Sequence, residues 1–277
     1  MSFDITWRAR LPDGTTDVLI PSGVVTPEAC VDSVTVTGGA TSHLREATTS
    51  QLVHHLRPSG HEVEVRWRFA IAPGRYDDAL FTAHPSRHTR AAQALLDEVA
   101  EIAPDLDPLG RAEAIACATA DRFTYGHAEH RFTDGLDEIP ALGCGMAVGS
   151  CVDINTYFLA ALRAAGIQAG YVTGFYFPQE KRGRCDDGHC WIVTRIDGQD
   201  LEWDIAHHLK MGTRIIRPGL NPKPGFRAAC FHGMGLRFPE VGAEDVKALI
   251  EPLCLSNGAW VPLDADIRLH RTVEATP

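Results

Sequence analysis

The sequence contains no long apolar run and no excess of basic residues. No stretch approaches the roughly 20 apolar residues that are needed to cross a bilayer, so a membrane-spanning protein is not expected. Acidic side chains outnumber basic ones by 36 to 26, for a formal charge of −10. Affinity for nucleic-acid phosphates comes largely from clustered Lys and Arg, and no basic run offsets this total. We therefore expect neither nucleic acid nor a membrane as a partner.

An apolar leader is also lacking at the start of the sequence, which reads MSFDITWRAR. Without an apolar h-region no signal peptide is predicted, and the cytoplasm becomes the expected compartment. The eight cysteines are then expected to be free thiols, because a reducing compartment disfavours disulfides.

Apolar and polar residues alternate strictly in two segments near the start of the chain. They are SFDITWRARL, from Ser2, and HEVEVRWRFAI, from His61. Period-two alternation over this length predicts half-buried strands, and turn-rich pieces separate them. We therefore predict an antiparallel β-sandwich module over residues 1–75, followed by a second domain over residues 76–277.

Helical patterns begin near residue 86. SRHTRAAQALLDEVAEIAP places its apolar residues on one stripe, and DPLGRAEAIACATADRF begins with Asp107 as a plausible N-cap and Pro108 at the first helical position. Residues 126–150 are rich in glycine and turn formers and are predicted to be a loop. Together with the strands, these helices predict an α+β fold.

A third helical pattern begins at a cysteine. In GSCVDINTYFLAALRAAGI, residues 149–167, the apolar residues after Cys151 recur at helical offsets, and Gly166 is a suitable stop. Cys151 then lies at or near the first helical position, where unpaired N–H groups and the helix dipole favour a thiolate. Such positions are known for nucleophilic cysteines, although a cysteine there can also be a small structural hydrophobe.

Two downstream strands contain potential partners for this thiol. HCWIVTRI begins at His189, Asp197-Gly198 is a hairpin signal, and LEWDI, residues 201–205, is the predicted returning strand. If Asp197 and Gly198 are the central turn residues, His189 and Asp204 share a face as diagonal neighbours. A one-residue slip would separate them. In the predicted register a thiol, an imidazole and a carboxylate converge, and these are the parts of an activated nucleophile.

These blocks resemble the transglutaminase-like superfamily. The resemblance covers about residues 85–210 and rests on GSCVDINTYFLAALRAAGIQAGYVTGFYF and GHCWIVTRIDGQDLEWDI. It implies a papain-like core, with helices packed on an antiparallel sheet, in which Cys151 is the nucleophile, His189 the base and Asp204 the orienting carboxylate. The β-rich start resembles the region that often precedes this core in bacterial members. Gly170 departs from the family, which usually has arginine there, and the residues after His207 match no family pattern.

The resemblance implies an acyl-transfer enzyme that acts through a thioester. Its substrate would be a protein or peptide, attacked at a glutamine side chain or a peptide amide. Water or an amine would resolve the thioester, and both outcomes share the first half-reaction. The chemistry requires no cofactor and no metal. The side-chain donor to the oxyanion is expected in loop 126–150, where His127 and His130 are candidates to line the cleft.

Three other interpretations stay open at this point. Arylamine N-acetyltransferases also use Cys, His and Asp, but their cysteine follows a short helical domain near the N-terminus, whereas Cys151 lies past the middle of this chain. A non-catalytic binding module of the same fold is the second. The third is a zinc site that draws on Cys144, Cys151, Cys185, His189 and Cys190, although Cys190 should point away from His189 on a strand. The pair His207-His208 is expected at the solvated surface.

Overall fold

The computed structural model describes residues 2–143, 147–219 and 222–272. Its α-helices are α1 (Gln93–Ala100), α2 (Pro108–Arg122), α3 (Cys151–Ala164) and α4 (Ile205–Lys210). Its strands are β1 (Ser2–Arg10), β2 (Asp17–Pro21), β3 (Cys30–Thr37), β4 (Gly39–Arg45), β5 (Leu52–Pro58), β6 (Glu62–Ala70), β7 (Phe123–Tyr125), β8 (Ala147–Gly149), β9 (Gln168–Pro178), β10 (Arg184–Cys185), β11 (Gly188–Ile196), β12 (Gln199–Trp203), β13 (Gly225–His232), β14 (Leu236–Phe238), β15 (Ala243–Val246), β16 (Leu253–Ser256), β17 (Ala259–Pro262) and β18 (Ala265–Thr272). The fold is therefore mixed and rich in strands, as the α+β prediction requires. Within the described residues no helix is both long and apolar enough to span a bilayer.

Strands from both ends of the chain form two five-stranded antiparallel sheets. The first has the order β10-β18-β1-β6-β3 and the second β17-β16-β2-β5-β4. β1 pairs with β18 from Ser2 to Ala9, so residues 2–70 share their sheets with residues 253–272. The two sheets also contribute to one apolar cluster. Sandwich packing and a division at residue 75 stay predictions.

The predicted alternation is observed most clearly in β6, whose apolar residues are buried and whose charged residues are not. β1 differs, because it is the central strand of its sheet and both of its faces are covered at the start. Asp4 is paired with Arg68 of the neighbouring strand β6, and Thr6 bonds the ring of His270, on β18, at 3.1 Å.

A four-stranded antiparallel sheet, in the order β12-β11-β9-β13, forms the second half of the fold. Helix α3 packs on one face of this core sheet, where Ile154 and Phe158 join Ile192 and Trp203 in a buried cluster. On the strands, Phe175, Phe177 and Ala228 belong instead to the cluster of the N-terminal sheets. The core sheet is thus packed between helices and the strands from the chain ends.

The predicted boundaries of α2 and α3 agree with the structure, whereas the helical pattern that begins near residue 86 is helical only over Gln93–Ala100. Asp107 caps α2 by accepting a bond from the Gly110 N–H at 2.9 Å, and Pro108 is the first helical residue. Helix α3 begins at Cys151, and Gly166 follows it with φ 76°, a left-handed conformation that glycine adopts without strain.

The hairpin between β11 and β12 has the predicted register. Ile196 pairs with Gln199 and Ile192 with Trp203, while Asp197 and Gly198 have φ values of 51° and 77°, as in a type I′ turn. The predicted strand over residues 201–205 is wrong at its end, because β12 stops at Trp203. Asp204 instead accepts the His207 N–H and becomes the N-cap of α4.

Gly170, where this sequence departs from the family pattern, has a packing explanation. A Cβ atom at this position of β9 would lie 2.6 Å from the carbonyl oxygen of Leu80 and would also overlap the Leu80 side chain. Leu80 belongs to a 3₁₀ turn, Asp78–Phe81, that packs directly on the strand. The close approach of backbone to backbone therefore requires glycine.

Candidate active site

Cys151 lies at the first turn of α3, and its surroundings hold that turn rigidly. The N–H and the Oγ of Ser150 both donate to Asp153 Oδ2, at 2.9 and 2.8 Å. Arg131 Nη1 donates to the other carboxylate oxygen at 3.0 Å. Cys151 itself is buried, with 8% of its surface exposed.

The structure brings His189 and Asp204 to this thiol. His189 Nε2 lies 2.9 Å from Asp204 Oδ2, and both residues are buried. The ring of His189 is also close enough to Cys151 for each group to shift the pKa of the other. Because Nε2 faces the carboxylate, Nδ1 is the nitrogen left for the sulfur. The three residues singled out in the sequence, Cys151, His189 and Asp204, therefore lie next to one another in the structure.

The groups around Cys151 favour the ionised form of its thiol. The pKa of Cys151 is well below its ordinary value, first because of a hydrogen bond from Cys190 and then because of the charge and hydrogen bond of His189, which together outweigh burial. Burial alone would lower the pKa of His189, but the charges of Asp204 and Cys151 raise it. Each shift stabilises a thiolate beside an imidazolium.

Cys190 is a second buried cysteine, next to the Cys151 thiol. Its side chain packs in the α3 cluster, pointing to the helix as its position on a strand predicts. Asn155 Nδ2 donates to the Cys190 carbonyl at 2.9 Å and approaches its sulfur at 3.4 Å. Burial raises the pKa of Cys190 well above its ordinary value. Cys190 therefore stays protonated and can donate its S–H to Cys151.

The carboxylate of Asp204 is fully buried and has several donors. The backbone N–H of His207 donates to Oδ1 at 3.0 Å, and Arg227 Nη2 donates to Oδ2. Burial would raise the pKa of Asp204, yet the charge of Arg227 and the contact with His189 hold it well below its ordinary value. The aspartate is therefore ionised at neutral pH.

The expectation that His207 lies at the solvated surface is wrong. His207 is 2% exposed and His208 is 8% exposed, because the α4 helix turns residue 207 back onto its own N-cap. The ring of His207 stacks on His189 with centroids 4.5 Å apart and planes 7° apart. Burial lowers the pKa of His207 to about 4. The sequence signal that could have indicated this turn is Asp204 itself, because Asp is a preferred N-cap residue.

Arg227 is the second site residue that the sequence did not reveal. It lies on β13, in the segment that matches no family pattern, and its guanidinium lies 5.0 Å from the ring centre of Tyr176 and 5.2 Å from that of Trp191. Its side chain is 4% exposed. Only the pairing of β13 with β9 brings it to Asp204, so no local signal could have identified it.

A polar cleft of about 300 Å³ leads to His189. Tyr125, His127, Tyr176, Asp187, His189 and Lys210 are among its lining residues. His127 therefore lines the cleft as expected, whereas His130 is not among the lining residues.

The residues do not fit a resident metal. Within the described ranges, one group has ligand atoms close enough to share an ion, namely His189, Asp204 and His207, all within 4.8 Å. The guanidinium of Arg227 already occupies the carboxylate of this group. The zinc set considered from the sequence is not assembled in those ranges either: Cys185 Sγ donates to the Asp187 carbonyl at 2.7 Å, and Cys144 lies outside the described residues.

Comparisons with known proteins agree with this fold. The family model described as the transglutaminase-like superfamily matches residues 93–204. No curated protein matches the chain. The chain is similar to the crystal structure of "a Putative Cysteine Protease from Cytophaga hutchinsonii", with 13% identity, 100% of this chain and 93% of that chain covered, and a TM-score of 0.56.

A second similar structure is the periplasmic domain of TgpA from Pseudomonas aeruginosa. The identity is 12%, with 78% of this chain and 90% of that chain covered and a TM-score of 0.38. The Cytophaga comparison shows a shared fold, and the family match extends from the start of α1 to Asp204. The resemblance seen in the sequence is thus confirmed: residues 93–204 of this chain match the model of the transglutaminase-like superfamily.

Proposed function

We propose that this protein is a cysteine acyl-transfer enzyme that attacks amide bonds of proteins or peptides. One observation supports this most strongly: His189 lines an open cleft, its Nε2 lies 2.9 Å from the buried Asp204 carboxylate, and it is close enough to the Cys151 thiol to lower the pKa of that thiol. Nucleophile, base and orienting carboxylate are the parts that this chemistry needs.

The first half-reaction begins with transfer of the Cys151 proton to His189 Nδ1. The thiolate attacks the carbonyl carbon, and the carbonyl electron pair moves onto oxygen. When the tetrahedral intermediate collapses, the C–N bond breaks and His189 gives its proton to the leaving nitrogen. Ammonia leaves from a glutamine side chain and an amine from a peptide bond, and Cys151 keeps the acyl group as a thioester.

The second half-reaction resolves that thioester. His189 takes a proton from water or from an acceptor amine, which attacks the thioester carbonyl and releases the Cys151 thiolate. Asp204 stays ionised throughout, since Arg227 and the His207 N–H hold its charge, and it keeps the His189 ring in the orientation that both steps use. The openness of the cleft suits either acceptor.

The proposal can be tested without knowing the natural substrate. p-Nitrophenyl acetate acylates an activated thiolate and releases one p-nitrophenolate per thioester formed. We expect a burst of about one equivalent per chain and an acetyl group mapped to Cys151, both abolished in Cys151→Ala. Added hydroxylamine should speed turnover by attacking the thioester.

The matched control is Cys230→Ala, which removes a buried cysteine of the other apolar cluster and should leave the burst unchanged. Acetyl groups found only on lysines, with no burst that depends on Cys151, would contradict an acyl enzyme and favour the non-catalytic binding module.

A further inference from the structure

Tyr125 lies beside the nucleophile because of a short parallel strand pair. Tyr125 is the last residue of β7 and pairs with Gly149 of β8. The next residue, Gly126, donates its N–H to the Gly149 carbonyl at 3.0 Å. Cys151 follows two residues after Gly149, so backbone hydrogen bonds fix Tyr125 to the start of the nucleophile helix.

Two contacts hold the ring of Tyr125 in place. Lys210 Nζ lies 4.3 Å from the ring centre, over its face, and the ring of His127 packs edge-on at 5.8 Å. Both contacts are to the ring, and Tyr125 lines the cleft together with His189. Across the residues that the structure describes, no acceptor or donor bonds its hydroxyl.

The hydroxyl keeps its proton. Partial burial raises the pKa of Tyr125 above its ordinary value, and the negative charge of Cys151 raises it further. A neutral O–H close to a thiolate, with its hydrogen uncommitted, is suited to bond an oxygen that becomes negative during attack.

The other tyrosine of the cleft is already engaged. Tyr176 donates its hydroxyl to the carbonyls of Lys223 and Pro224, both at 2.9 Å. Asn155, on the nucleophile helix, has its side-chain N–H on the Cys190 carbonyl. Neither is therefore placed to receive a substrate oxygen without first breaking a bond.

We propose that Tyr125 is the side-chain donor to the oxyanion, acting together with the backbone N–H of Cys151. That N–H belongs to the first turn of α3 and has no acceptor within the helix. As the thiolate attacks, the new C–S bond forms, the C=O electron pair moves to oxygen, and that oxygen accepts hydrogen bonds from both donors. No proton leaves Tyr125. Tyr125 directly precedes loop 126–150, where the sequence led us to expect this donor.

This inference rests on the proposed function, and two reactions of the same thiol separate them. Iodoacetamide alkylates Cys151 by displacement of iodide and forms no oxyanion, whereas p-nitrophenyl acetate forms one. In Tyr125→Phe we expect alkylation of Cys151 within twofold of wild type and acetylation slower by about 10²-fold. A fall in acetylation of less than tenfold would overturn the assignment. If Cys151 of the wild-type protein reacted with neither iodoacetamide nor p-nitrophenyl acetate, that result would instead contradict the proposed function.

Tyr157→Phe is the matched control, because Tyr157 is a buried tyrosine of the same core that does not line the cleft. We expect it to change neither rate. A second measurement protects the test against partial unfolding: the ratio of rates for an ester and its thionoester is taken within one protein. Sulfur accepts hydrogen bonds weakly, so this ratio should fall at least tenfold in Tyr125→Phe. An unchanged ratio would contradict the proposal.

Discussion

Arg227 and His189 bind the same oxygen atom of Asp204. His189 Nε2 lies 2.9 Å from Oδ2. Arg227 Nη2 donates to the same oxygen from β13, the strand at the other edge of the core sheet from β12. The carboxylate is thus held ionised by a fixed cation, not by the substrate or by solvent. This relationship explains why a segment without any family pattern, residues 225–232, matters to the site.

Replacing Arg227 should therefore impair the site through Asp204. In Arg227→Gln the buried carboxylate loses its main compensating charge, so its pKa should rise. We expect slower acetylation of Cys151, with an acid limb of the pH–rate profile moved to higher pH, and a free energy of unfolding lower by about 3–5 kcal/mol. Arg237→Gln, at an exposed surface ion pair, should change neither. An unmoved acid limb would contradict the assigned role.

Cys190 should tune the reactivity of the nucleophile. Its S–H is the largest cause of the lowered pKa of Cys151, so Cys190→Ala should raise that pKa. The expected result is slower alkylation of Cys151 at pH 6 and the same rate as wild type at pH 9, where the thiol is ionised in both proteins. The measurement is a pH–rate profile, with Cys230→Ala as the control. A profile that keeps the wild-type midpoint would show that Cys190 does not donate to Cys151.

Buried histidines should make the fold sensitive to acid. Burial lowers the pKa of His232 to about 4, while the unfolded chain has the ordinary value near 6.5. Between these values the unfolded state binds the extra proton, so stability is lost as pH falls from 6.5 towards 4. In His232→Gln the free energy of unfolding should depend less steeply on pH, by up to about 1.4 kcal/mol per pH unit in that window. Denaturant unfolding at several pH values measures this, and equal slopes would contradict it.

Gly170 should tolerate no side chain. Gly170→Ala forces its Cβ against Leu80, so the free energy of unfolding should fall by about 1–3 kcal/mol. Gly60→Ala is the control, since a Cβ there meets no atom within 4 Å. Equal stability of the two variants would show that the Asp78–Phe81 turn moves away without cost.

The site was predictable from sequence where its geometry is local. The apolar period of α3 places Cys151 at a helix start, and the Asp197-Gly198 turn fixes the register that joins His189 to Asp204. The position of His207 could be predicted only by recognising that β12 ends before Asp204 and that Asp204 caps a helix. Arg227 and Tyr125 come to the site through β13–β9 and β7–β8 pairing, and pairing between distant segments leaves no mark within either segment.

The fold follows the same rule. Alternation predicts the strands of the first seventy residues, but it does not indicate which strands will be their neighbours. β1 pairs with β18, more than 250 positions away in the chain. The burial of Asp4 and Thr6 follows from that partnership, because strands on both sides supply the side chains that cover them.

The most direct test of the account is site-resolved alkylation by iodoacetamide at about pH 6, compared between wild type and His189→Ala. Cys30 and Cys117 are half-buried and Cys151 is buried, so accessibility alone would favour the first two. We expect Cys151 to react far faster than every other cysteine and to lose this lead without His189, since an ordinary thiol is almost fully protonated at that pH. Faster labelling of Cys30 and Cys117 than of Cys151 in the wild type would contradict it.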